Sequence, residues 1–177
     1  LPVTTLLGKP ESGGACPTSE KLEEAVEEQR QLLVEFEKVA EELNQVLANL
    51  EGSTLVKRLK AAARAENKIA GHIVDHVQDS FGLASLGTAN AKELFGELRT
   101  KQTSTLQAVS YIMDDMEAFY ERRRMAKFRT ILQEMEEEDV LGALRELSEE
   151  LTKNSGISIA QCEYWSDTMD RWAEDLV

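Results

Sequence analysis

The chain has 177 residues, room for one ordinary domain or for two small helical units that share an element. Its 42% hydrophobic residues can fill a core, and 30% charged residues is ordinary for a folded, helix-rich protein. A formal net charge of −13 argues against a general nucleic-acid binder, because phosphates are repelled on average, and favours a soluble protein or a basic partner. A protein partner or self-association is the expected interaction for a helical bundle of this kind.

Pro2, Pro10 and Pro17 are the only prolines, and all precede the first periodic segment. Residues 1–17, with these prolines and three glycines, read as a flexible lead-in; residues 18–177 read as one helical bundle. Leu1 in place of Met suggests a fragment or a processed chain. The apolar residues near it are too few and too interrupted for a signal segment or a membrane span, so any membrane attachment is expected only through an anchor in a parent chain.

A helix is predicted over about 19–50, opened by Thr18 or Ser19 with Glu20, Glu23 and Glu24 near the positive end of its dipole. Its apolar residues recur as a heptad through Leu22, Ala25, Gln29, Leu32, Phe36, Val39, Leu43, Val46 and Leu50. A second stripe runs beside it through Val26, Leu33, Ala40 and Leu47. That width suits a helix with two neighbours in a bundle of three or four, rather than one strand of a two-stranded coil. Gly52 then reads as a left-handed C-cap, with Ser53 or Thr54 capping a second helix over about 54–81. So short a turn predicts an antiparallel hairpin, with Val46 beside Leu59, Leu43 near Ala62, Phe36 near Ile69 and Leu32 near Ile73. Charge agrees: the first helix is acidic, and the second carries Lys57, Arg58, Lys60, Arg64 and Lys68.

Gly82 and Gly87 mark a loop, and Asn90 with Glu93 forms a capping box for a third helix. It meets no breaker until about 137, so it is predicted over 91–137, about 46 residues or roughly 70 Å. Asp139 caps a fourth helix over 140–153, and Ser158 with Gln161 opens a fifth over 159–175. No segment alternates as a strand does. The expected fold is therefore all-α: an elongated antiparallel bundle of about five helices, as two three-helix units sharing the long third helix. That arrangement keeps Cys16 and Cys162 too far apart for a disulfide, whereas a third helix that folds back would permit one.

Several constellations invite chemistry. His72 and His76 stand four apart on one helix, the spacing that holds a metal from one face, with Asp75 and Asp79 nearby. No further ligand motif accompanies them, so a hydrogen-bonded or surface pair is the better reading, and no metal or cofactor is expected. The hairpin register would set His76 opposite Gln29. Glu66, Gln102, Thr105 and Arg123 fall on apolar seams, where polar residues fix register more often than they line a pocket. The run from Arg122 to Arg129 is basic, but successive helical residues point in different directions and an acidic run follows at 134–139. Trp165 and Trp172 share a face with Met169 and Leu176, as core residues do, with Tyr164 beside them. No nucleophile motif or phosphate loop occurs, and no catalytic residue is assigned.

The segments Leu50-Glu51-Gly52-Ser53-Thr54-Leu55-Val56-Lys57-Arg58-Leu59, Ser158-Ile159-Ala160-Gln161-Cys162 and Trp172-Ala173-Glu174-Asp175-Leu176 resemble a helical region of large, uncharacterised, membrane-anchored bacterial proteins. The resemblance would span most of 18–177. It implies an extracytoplasmic location and no particular activity. The sequence thus leads to the expectation of a non-enzymatic helical spacer or protein-interaction module. The alternative is a ligand- or metal-sensing bundle lined by His72, His76, Gln29 and Glu66.

Overall fold

A computed structural model describes residues 17–80 and 89–177, with side chains over 21–78 and 91–177. Among the described residues the fold is an all-α helical bundle of five helices: α1 (Pro17–Ser80), α2 (Ala89–Arg123), α3 (Ala126–Glu137), α4 (Val140–Glu150) and α5 (Ser155–Asp175). No strand occurs among the described residues. The chain divides into two compact units inside α1, after Leu47.

The first correction concerns Gly52. α1 runs through it without a turn, so the hairpin expected over 19–50 and 54–81 does not form. Gly52 is buried in the helix interior, and its missing side chain has a packing cause rather than a capping one. A Cβ there would stand 3.2 Å from the Phe128 ring and 3.6 Å from Phe119. Glycine is a weak helix former, but one glycine costs only about 1 kcal/mol within a long helix, and ring packing offsets it.

In the second unit, the part of α1 from Ala48 onward pairs antiparallel with α2. Glu51 meets Arg122 and Arg123, Arg58 meets Asp115, and Glu66 meets Gln102, so numbers rise on one helix as they fall on the other. α2 also contacts α3 and α4, and α5 contacts α3 and α4. The core is one continuous cluster. Leu59, Ile69 and Ile73 of α1 join Leu98, Ile112, Met116 and Phe119 of α2, Leu144 and Leu147 of α4, and Met169 and Trp172 of α5. The α1 residues that were expected to face Phe36 and Leu32 are therefore filled from α2 and the later helices.

The helix predicted over 91–137 is two helices. Arg124 takes a left-handed conformation (φ 55°) and Met125 an extended one, and α3 folds back so that Phe128 packs on Phe119 with ring centroids 4.5 Å apart. No glycine or proline marks this break. It is stabilised by tertiary contacts: the Phe119–Phe128 pair, and the Arg124 and Arg129 guanidinium groups over the Tyr120 ring.

Asp139 caps α4 as expected, accepting a hydrogen bond from the Gly142 amide at 3.2 Å. Asp139 is left-handed (φ 46°), and a Cβ at position 142 would lie 2.1 Å from its carboxylate, so this cap requires glycine there. The start of α5 needs correction. Asn154 is its cap, accepting from the Ile157 amide, and the Ser158 hydroxyl donates back to the Asn154 carbonyl inside the first turn. Asn154 thus opens α5 in place of Ser158. The loop at Gly82 and Gly87, the Asn90 capping side chain and Cys16 lie outside the described residues. Cys162 is a buried free thiol.

Candidate interaction surface

Three features could carry function: a buried polar layer, a groove on the second unit, and an apolar stripe on the first. The layer is built by the seam positions Glu66 on α1 and Gln102 on α2, both without solvent exposure. The Gln102 amide donates to Glu66 Oε1 at 2.8 Å, and Cys162 of α5 lies against the same carboxyl. Burial raises the Glu66 pKa to about 7, against the opposing pull of the Gln102 and Cys162 hydrogen bonds. Burial and the neighbouring Glu66 push the Cys162 thiol far up as well, which keeps it protonated and unreactive. Glu66 Oε2 and Gln102 Oε1 find no partner. A proton on the carboxyl supplies the donor that this pair of acceptors lacks, so the neutral acid is the form that suits the layer. The sequence placed Glu66 and Gln102 on seams; that Cys162 completes the layer required the position of α5.

The groove, of about 900 Å³, lies between α1 and α2. Alanines 61, 62, 65 and 108 form much of its floor, and Arg58, Lys68, Lys101 and His72 stand around it. Its polar groups are largely engaged. Arg58 pairs with Asp115, and the Thr100, Ser104 and Thr105 hydroxyls donate to carbonyls four residues earlier in their own helix.

The proposed sensor residues do not converge. His72 is exposed at the groove, His76 is half-buried with its ring edge-on to Phe95 at 5.5 Å, and Glu66 is sealed in the core. Gln29 is exposed on the first unit, and without a turn at Gly52 the register that set it opposite His76 is lost. Among the described residues, no group of three or more His, Cys, Asp or Glu is arranged to hold a metal. The basic run is split by the turn at Arg124 and largely used internally: Arg122 and Arg123 go to Glu51, and Lys127 donates to the Val177 carbonyl at 3.1 Å. Trp165 and Trp172 are buried, and the Trp172 indole donates to Glu134 at 2.9 Å. Tyr164 is exposed and donates to Glu138.

The first unit differs in kind. Over residues 21–47, α1 keeps its heptad pattern, yet the large apolar side chains are bare: Phe36 is 69% exposed, Leu22 67%, Val46 62% and Leu43 58%. Val26, Leu32, Leu33, Val39 and Leu47 are exposed as well. Assigning Leu22 to position a puts Phe36 and Leu43 at a, Leu32, Val39 and Val46 at d, and Val26, Leu33, Ala40 and Leu47 at e. The g positions are Lys21, Glu28, Glu35 and Glu42, carboxylates from Glu28 onward. The stripe therefore has carboxylates along one edge and apolar residues along the other. A soluble surface rarely leaves so many large apolar side chains contiguous and uncovered unless something docks there.

No protein-family model, curated protein or solved structure matches the chain. Among the described residues no helix is long and apolar enough to cross a membrane.

Proposed function

We propose that this chain is a non-enzymatic helical module for protein association, with residues 22–47 of α1 as its contact surface. The observation that carries the reading is the bare heptad stripe: large apolar residues at packing periodicity, each more than 40% exposed. A spacer without a docking role would gain nothing from them, and a helix of this length without packing partners is only marginally stable in water. The shifted groups Glu66 and Cys162 belong to the core layer, so they favour a structural role over turnover.

Both tryptophans, Trp165 and Trp172, lie on α5 in the second unit and report its unfolding alone. If the stripe is a contact surface, Phe36→Ser with Leu43→Ser leaves the tryptophan-monitored urea midpoint unchanged. If instead those residues complete the core of the bundle, the double variant loses several kcal/mol, as large-to-small core changes do at roughly 2–5 kcal/mol each, and the association reading fails.

A further inference from the structure

We propose that residues 22–47 of α1 pair with the same segment of other copies of this chain, in parallel and in register, as a homotypic coiled coil. This rests on the association reading above and supplies its partner.

Three observations favour a second copy. The first is area: the exposed apolar side chains of 22–47 offer on the order of 1,000 Å², comparable to the roughly 800 Å² per partner that stable association needs. The stripe also keeps the 3-4 spacing of a strict heptad, which winds helices around one another, since on a straight helix it would drift out of line.

The second is the asymmetry of the edges. In a parallel coil, g of one helix meets e of the next. Glu28, Glu35 and Glu42 would then lie over Leu33, Ala40 and Leu47 of the neighbour, and Lys21 over Val26, covering apolar surface with their methylene stems while their charged ends stay in water. An antiparallel coil of identical helices sets g against g and opposes glutamate to glutamate. The third is Gln29, an exposed polar residue at an a position. In register with a copy of itself, its amide can both donate and accept across the seam, and any slip would bury it against Leu22 or Phe36. An unrelated basic helix would complement the glutamate row, but would satisfy Gln29 only by carrying a polar group at the same layer.

The test is sedimentation equilibrium of the full chain from low to high micromolar concentration. It is combined with oxidation of a Cys16→Ser, Val46→Cys variant, in which Cys162 stays buried. A mass of two to four chains is expected, with efficient disulfide linkage between Val46→Cys copies and a loss of association of at least about thirtyfold in Phe36→Glu. A monomer at every concentration overturns the proposal. So does an assembly in which Val46→Cys links to Leu22→Cys in mixed samples but not to itself, because a facing d is the antiparallel arrangement. If the chain is monomeric while Phe36→Ser with Leu43→Ser is neutral for tryptophan-monitored stability, the contact-surface reading stands and the partner is a different protein.

Discussion

Glu66 occupies a core position where an apolar residue would ordinarily close the layer, and the layer tolerates it as the neutral acid. Its pKa in the folded chain is about 7, against 4.5 for the unconstrained group, because burial penalises the charge. The folded state therefore holds a proton that the unfolded state releases, and Glu66 lowers stability as pH rises from about 4.5 through about 7. Below that window both states are protonated and the contribution is fully present; above it the native state must bury a carboxylate, at about 3 kcal/mol. Glu66→Gln keeps the shape and removes the charge. We expect its stability relative to the parent chain to grow by about that amount between pH 4.5 and pH 8, in paired urea titrations followed by tryptophan emission. Parallel pH profiles for the two chains would refute the assignment.

At the scale of the element, α1 joins two regimes in one helix. Before Ala48 its apolar face is bare, and from Leu55 to Ile73 the same periodicity is buried against α2 and the later helices. Gly52 sits at this transition, held small by Phe128. Gly52→Leu forces the Phe128 and Phe119 rings aside and should lower the urea-derived stability by about 1–3 kcal/mol, despite leucine being the better helix former. A stabilised variant would show that the glycine has no packing role. The helices themselves were legible in periodicity, and the Asp139 cap was legible in its residue type, since both are local. The breaks were not. Gly52 has the signature of a stop, yet its smallness serves a ring on α3. Arg124 has no such signature, and the chain turns there because packing of Phe128 against Phe119 offsets the cost of a left-handed arginine. The polar layer was half legible: Glu66 and Gln102 stood out as seam residues, but Cys162 joins them only once α3 and α4 bring α5 back.

For the molecule as a whole, the seam between its two units falls within a helix, and the two stretches are held by different means. Residues 55–77 share one cluster with α2 to α5, whereas 21–47 have a helical backbone but little of the packing that makes helices persist. Amide hydrogens over 21–47 should accordingly exchange faster than those over 55–73 in dilute, unassociated samples, measured by mass spectrometry, and slow down on association. Equal protection in dilute samples would count against independent units.

The confinement of both indole rings to α5 then affects any stability measured for this chain. Far-ultraviolet ellipticity sums over every helical peptide, including the bare stretch, whereas emission follows the bundle alone. Melting curves from the two signals should separate in dilute solution and draw together as concentration rises. A single midpoint taken from either would describe one portion of the polypeptide rather than the whole.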